Sequence, residues 1–220
     1  MKHRIIFTYG KQWCIVDKYM KFNLPKPYLS YSAFALWIKD KNAFRKRYYE
    51  NEKPFETAET IFGKTVHEHL EKTRLGREKR IEVELIPGLK LLGYIDEFNE
   101  ETLEISDDKT GHLDAKGKPP WNAVKVRKHK QLVFYELLVL IAYGKFNPVT
   151  QLRWIETRFK VKNVEFDGHI LGGKTKELEL TGVEVTFKRR IYKWEIENLK
   201  KEIIKAAEEI SKDYTQWTKK

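Results

Sequence analysis

The chain has 220 residues, 41% of them hydrophobic, and carries 43 Lys and Arg against 32 Asp and Glu, a net charge of +11. That length supports one sizeable core, and that balance favours a polyanionic partner, nucleic acid first and an acidic membrane surface second. The single cysteine, Cys14, excludes an internal disulfide and an all-protein cysteine cluster for zinc or for iron and sulfur, and fits a reducing compartment.

The longest apolar run, LLVLIAY near residue 140, is too short to span a bilayer, and MKHRIIFTYG lacks the apolar segment and cleavage site of a signal peptide. A soluble, cytoplasmic protein without membrane contact is expected.

One domain over 1–220 is expected, in three stretches: an N-terminal extension (1–28), a core (29–144) and C-terminal strands and helix (145–220). Residues 4–8 and 12–17 alternate and suggest a hairpin around Gly10. Pro25 and Pro27 break the chain, and Ser30 is placed to cap a helix running through Phe34 and Trp37. A second helical stretch, 43–50, is rich in Arg, Lys and Tyr, and a third spans 57–75, stopped by Gly76.

Three strands follow, at about 80–86, 91–98 and 102–108, the first two separated by Gly88 and the next two by residues 99–101. A long helix over 123–143 ends at Gly144 and Pro148. Strands resume at about 149–159 and 182–189, with a protruding loop or hairpin between them that contains Gly168, Gly172 and Gly173. The last helix covers about 193–212, with Ile196, Leu199, Ile203 and Ile204 at amphipathic spacing. This order predicts an α/β or α+β fold with a central mixed sheet flanked by helices.

The chemistry concentrates in LLGYIDEFNEETLEISDDKTG, residues 91–111. If the two strands turn at 99–102, Asp96 sits opposite Ile105, and Asp107 lies diagonal to Asp96 on the same face, about 7–8 Å away. Period-two alternation puts Lys109 on that face and turns Asp108 away. Two carboxylates offer hard oxygen ligands for Mg²⁺ or Mn²⁺, and a lysine beside them can orient or deprotonate water or stabilise charge on a phosphorane. A solvated hairpin with charged strand ends would look the same.

In TIFGKTVHEHLEKT, Gly63, His67 and Leu70 share a helix face. Gly63 allows a close approach. His67 borders an apolar stripe and reads either as a core histidine or as a metal ligand, whereas His69 points elsewhere. In RKHKQLVFYELLVLIAYG, Gln131 and Tyr135 sit one turn apart, and a buried pair of this kind needs partners. Either this end of the helix is simply wet, or Gln131 and Tyr135 reach the site and Arg127, Lys128 and Lys130 line a substrate entrance. Phe44, Arg45, Lys46, Arg47, Tyr48 and Tyr49 either stack bases and track phosphates or form an amphipathic helix with a solvated basic side.

Together these segments resemble the RecB-like branch of the PD-(D/E)xK nuclease superfamily. LSYSAFALWIKDKNAFRKRYY resembles its opening helical motif, GKTVHEHLE its G-x-x-x-H element and GYID its first metal aspartate. ISDDKTG resembles the strand ending in D-x-K-T-G, and QLVFY the Q-x-x-x-Y helix. The resemblance spans about residues 29–144 and implies a restriction-endonuclease-like core. It also implies a metal held by His67, Asp96, Asp107 and the backbone carbonyl of Asp108. Lys109 would be the catalytic lysine, supported by Gln131 and Tyr135, with Glu82 or Glu84 as an additional carboxylate.

Lacking the four cysteines of the branch's iron–sulfur members, the chain looks more like the cluster-free exonucleases of phages and of mitochondrial genome maintenance. Asp108 stands where the family carries an apolar or aromatic residue. The function this implies is a Mg²⁺- or Mn²⁺-dependent deoxyribonuclease, an exonuclease on single-stranded or end-bearing DNA in recombination, repair or replication. Arg45, Arg47, Tyr48, Arg127, Lys128 and Lys130 would contact the DNA, and the protein would act as a homo-oligomer or with a replication or recombination partner. A structure-specific endonuclease and a catalytically silent nucleic-acid-binding scaffold are the alternatives.

Overall fold

A computed structural model describes residues 4–9, 12–17, 21–53, 57, 60–66, 78–166 and 169–219. Arg4–Tyr9 (β1) and Gln12–Asp17 (β2) form the expected antiparallel hairpin, with Phe7 opposite Cys14. After Leu29–Ser30 (β3), Ser30 caps Tyr31–Lys39 (α1) by accepting the Ala33 N–H at 3.3 Å, which satisfies one of the first turn's free donors. Asp40 repeats the device for Lys41–Tyr48 (α2), accepting the N–H groups of Asn42 and Ala43 at 3.0 Å. That cap starts α2 two residues before the expected 43–50. A third helix, α3, covers 60–66, and the expected continuation, with His67 and His69, lies outside the described residues.

Lys79–Ile86 (β4) alternates as its sequence demands: Ile81, Val83 and Leu85 are buried, Glu82 and Glu84 face out. Gly88, at φ 83°, turns the chain into Leu89–Ile95 (β5), antiparallel to β4. β3 pairs parallel with the other edge of β5, giving a mixed sheet in the order β3-β5-β4.

Gly93 in β5 is a close-approach position. A Cβ there would collide with Leu138 Cδ1 and sit 3.4 Å from Tyr135 Cε1, on the helix that crosses the sheet. Gly93→Ala is expected to lower stability by about 1–3 kcal/mol, read by urea or thermal unfolding. Unchanged stability would show that the helix can move off the sheet freely.

The second sheet runs Glu97–Asn99 (β6), Glu104–Gly111 (β7), Val149–Phe166 (β8) and His169–Arg190 (β9), in that order. It too is mixed: β6 is antiparallel to β7, β7 parallel to β8, and β8 antiparallel to β9. The strand expected over 91–98 is therefore interrupted at Asp96, a bend that passes the chain from one sheet to the other. Of the loop or hairpin expected over 160–181, the described residues form the hairpin, between β8 and β9, in which Gly172 and Gly173 pair with Asn163 and Lys162 without ending the strand.

The helix expected over 123–143 is two. Ala123–Arg127 (α4) is capped by Asn122 Oδ1, 3.0 Å from the Lys125 N–H, and the chain breaks at Lys128 and His129 before Lys130–Tyr143 (α5). α5 is buried on every side from Leu132 to Val139 and ends at Gly144 in the left-handed conformation, φ 66°. Burial pushes the carboxyl of Glu136, midway along α5, up to about 8, and its Oε1 accepts the Asn147 N–H at 3.0 Å, tying down the loop before β8. Lys193–Trp217 (α6) covers α5 and α1 with Ile196, Leu199, Ile203, Ala206, Ala207 and Ile210, and continues past the expected end at 212. The whole is a mixed α+β fold with two mixed sheets flanked by helices. Among the described residues no helix is long and apolar enough to cross a membrane.

Candidate active site

Asp96 and Asp107 meet where the two sheets part. The β6–β7 ladder pairs Glu97 with Ser106 and Phe98 with Ile105. One further step of that register sets Asp96 directly across from Asp107, rather than opposite Ile105 with Asp107 diagonal to it. The cause is the turn, which takes in residues 100–103 and places Leu103 at φ 58°. It moves the register by two residues, so the shared face survives. Asp96 Oδ2 accepts the Asp108 N–H at 2.7 Å, which fixes the bend.

Asp107 is wholly buried. Lys109, two residues on along β7, places Nζ 2.9 Å from each Asp107 oxygen and donates to Oδ1. The same ammonium lies 3.3 Å from Gln131 Oε1, and Gln131 Nε2 donates to Tyr135 Oη at 2.6 Å. The structure thus joins Asp107, Lys109, Gln131 and Tyr135 into one chain. Because Tyr135 accepts from Gln131, its own proton is available to another acceptor.

His129 was not singled out from the sequence, yet its Nε2 lies 3.5 Å from Asp107 Oδ2, with Trp121 edge-on to its ring at 5.0 Å. Within one continuous helix, positions 129 and 131 would point to different faces. The break between α4 and α5 is what turns His129 inward, so its place two residues before Gln131 was the one signal and it pointed elsewhere. Tyr31 on α1 is a second neighbour: burial, then the charge of Asp107, raises its phenol.

The two carboxylates are driven apart. Burial, then the negative charge of Asp107, pushes Asp96 up to about 7. Burial alone would raise Asp107 as well, but the neighbouring His129 and the charge of Lys109 outweigh it and hold Asp107 below the usual carboxylate range. The buried Asp107, whose Oδ2 makes no hydrogen bond, and the half-buried Asp96, which it repels, are a hard-oxygen donor set that suits a divalent cation. Among the described residues no three His, Cys, Asp or Glu side chains gather to hold a metal; the expected third ligand, His67, lies outside them. Gly63 on α3 does make the expected close approach, since a Cβ there would sit 3.3 Å from Thr110 Oγ1 at the end of the Asp107–Lys109 strand.

Asp108 points to the opposite face, where Arg153 pairs with it at 2.6 Å and with Glu97 at 2.8 Å. The unusual carboxylate is thus neutralised by a partner on β8 and does not compete for the Asp107 face.

Several expected residues are placed elsewhere. Glu82 pairs with Arg80 and Lys90, and Glu84 accepts the Gly88 N–H at 2.8 Å; both sit on the outward side of β4 and add no carboxylate to the site. Arg45 is held by Asp213 of α6 through contacts of 2.7 and 2.9 Å. Tyr48 packs on Phe44 with ring centroids 4.6 Å apart, and Arg47 lies over the Tyr48 ring. Lys130 pairs with Glu202 at 2.6 Å, while Arg127 and Lys128 are exposed.

No family model matches the chain, and no curated protein is similar to it in sequence. Its fold is similar to that of a phage-related exonuclease. That protein, from Haemophilus somnus 129PT, superposes with a TM-score of 0.50 over 80% of this chain and 81% of its own, at 15% identity. A second solved structure, SSO0001, gives a TM-score of 0.37 at 11% identity, covering 81% of this chain and 76% of its own. At these identities the likeness is one of fold.

Proposed function

We propose that the chain is a metal-dependent deoxyribonuclease of the RecB-like PD-(D/E)xK type, a single catalytic domain acting as an exonuclease on single-stranded or end-bearing DNA. The observation that carries this is the buried Asp107 facing Asp96, with Lys109 2.9 Å away and held from behind by Gln131. The fold's likeness to a phage-related exonuclease supports the exonuclease form.

Asp96, Asp107, the Asp108 carbonyl and His67 would hold Mg²⁺ or Mn²⁺, which when bound neutralises the scissile phosphate and makes water more acidic. Lys109 orients the attacking water and meets the charge that develops on the phosphoryl oxygens. Gln131 and Tyr135 are positioning residues: they fix the ammonium so that it need not reorganise as the reaction proceeds. Exposed Arg127 and Lys128, at the α4–α5 break, contact the backbone of the incoming strand.

The test is digestion of linear duplex, linear single-stranded and circular single-stranded DNA in Mg²⁺, Mn²⁺ or EDTA. Linear substrates are expected to be degraded in either metal and spared in EDTA, with the circle intact. No metal-dependent cleavage of any substrate would sink the nuclease assignment, and a cut circle would make the enzyme an endonuclease.

A further inference from the structure

At the junction of β9 and α6 the surface opens into a cleft of about 530 Å³ whose walls carry Arg127, Lys188, Arg189, Arg190, Tyr192 and Trp194. Apart from Arg127, none of these residues has a part in the site described above. Tyr192 and Trp194 are exposed by 51% and 63%, and their rings lie nearly parallel, 15° apart with centroids 6.4 Å from each other. Large aromatic rings exposed beside cations are costly for a free surface and suited to taking up flat π systems. The one acidic residue of the lining, Glu195, is already committed. It accepts from Arg189 at 2.5 Å and from the Tyr192 N–H at 3.0 Å. Among the described residues Arg127, Lys188 and Arg190 make no ion pair, so their charge is available to a ligand.

Arg189 gives the cleft a built floor. Its side chain is 4% exposed, and one guanidinium nitrogen donates to the His129 carbonyl at 2.6 Å while its Nε has no hydrogen-bond partner. The guanidinium is held between that carbonyl and the Glu195 carboxylate, so it fixes the end of β9 from which Lys188 and Arg190 project. It also ties the cleft to the catalytic side, because His129 Nε2 lies 3.5 Å from Asp107. Arg189 further affects the Tyr31 phenol beside Asp107.

We propose that this cleft is a single-strand nucleic-acid subsite: unpaired bases stack on Tyr192 and Trp194, and phosphates run over Arg127, Lys188 and Arg190 towards Asp107. The proposal deepens the nuclease assignment and rests on it for the direction of the strand. Single strands are favoured over duplex because a base pair within a duplex has no open face for the ring pair, whereas every unpaired base has one.

The test is fluorescence anisotropy with 5′-labelled dT20 in EDTA, where nothing is cut, using Trp194→Ala, Trp194→Phe and the Lys188→Ala/Arg190→Ala pair. Trp194→Ala is expected to raise Kd about 10-fold and Trp194→Phe to restore most of it. The cationic pair should weaken binding and reduce the slope of log K against log salt by about 1.4. Wild-type affinity in Trp194→Ala overturns the proposal, as does tighter, Trp194-dependent binding to blunt duplex or to phosphatidylserine vesicles. The two assignments fail separately. Trp194-dependent binding of dT20 without cleavage in Mg²⁺ or Mn²⁺ keeps the subsite and removes the nuclease, and cleavage without Trp194 dependence does the reverse.

Discussion

A Lys109→Ala variant is expected to lose metal-dependent DNA cleavage by about 10²–10⁴-fold while still folding and still binding single strands. The ammonium lies 2.9 Å from the buried Asp107 carboxylate, and Gln131 holds it in place at 3.3 Å. Its removal takes away the group that orients water and meets developing charge. It also leaves Asp107 with only His129, 3.5 Å away, as a neighbour on that side, so a stability loss of about 1–3 kcal/mol should accompany the kinetic one. Rates should therefore be compared well below the variant's Tm. Lys109→Arg keeps the charge but substitutes a planar fork for a compact point donor, so it should restore stability more than rate. Full activity in Lys109→Ala would place the chemistry elsewhere. Gln131→Ala should lower kcat with little change in KM, the signature of a residue that acts through Lys109.

How much of this was legible in the sequence depends on the range of each interaction. The shared face of Asp107 and Lys109 follows from period-two alternation and needs nothing beyond β7. The register of Asp96 did not follow, because the turn places Leu103 at φ 58° and leucine carries no turn signal. His129 was hidden by a helical pattern that runs unbroken through Arg127, Lys128 and Lys130, and it takes Asn122 capping a separate α4 to turn its ring inward. Arg45 reads as a DNA contact or as a solvated charge, and Asp213, 168 residues away, closes on it instead. The glycines of 160–181 leave a loop and a hairpin equally open because glycine weakens strands, and an extended ladder with β8 absorbs Gly172 and Gly173. Local chemistry was readable, whereas partners brought in by sheet crossovers and by α6 were not.

Arg153 is the sharpest case of such a partner, and Arg153→Leu is expected to cost about 3–5 kcal/mol of stability. The parallel β7–β8 pairing sets it beside Asp108, and its guanidinium binds Asp108 at 2.6 Å and Glu97 at 2.8 Å. Asp108 is only 4% exposed, so leucine at 153 would leave a buried carboxylate with neither charge partner nor water. The price is that of desolvation and not of a lost surface pair, since a partly exposed ion pair contributes at most about 1 kcal/mol. Arg153→Leu combined with Asp108→Leu should recover most of the loss, because an apolar pair of similar size replaces the ions. The double variant also separates structure from chemistry. The backbone N–H of Asp108, which holds Asp96, is retained whatever side chain stands there. Cleavage should then return with stability, measured by urea unfolding alongside digestion of linear DNA. Recovered stability without recovered cleavage would mean that the Asp108 carboxylate itself takes part in the site.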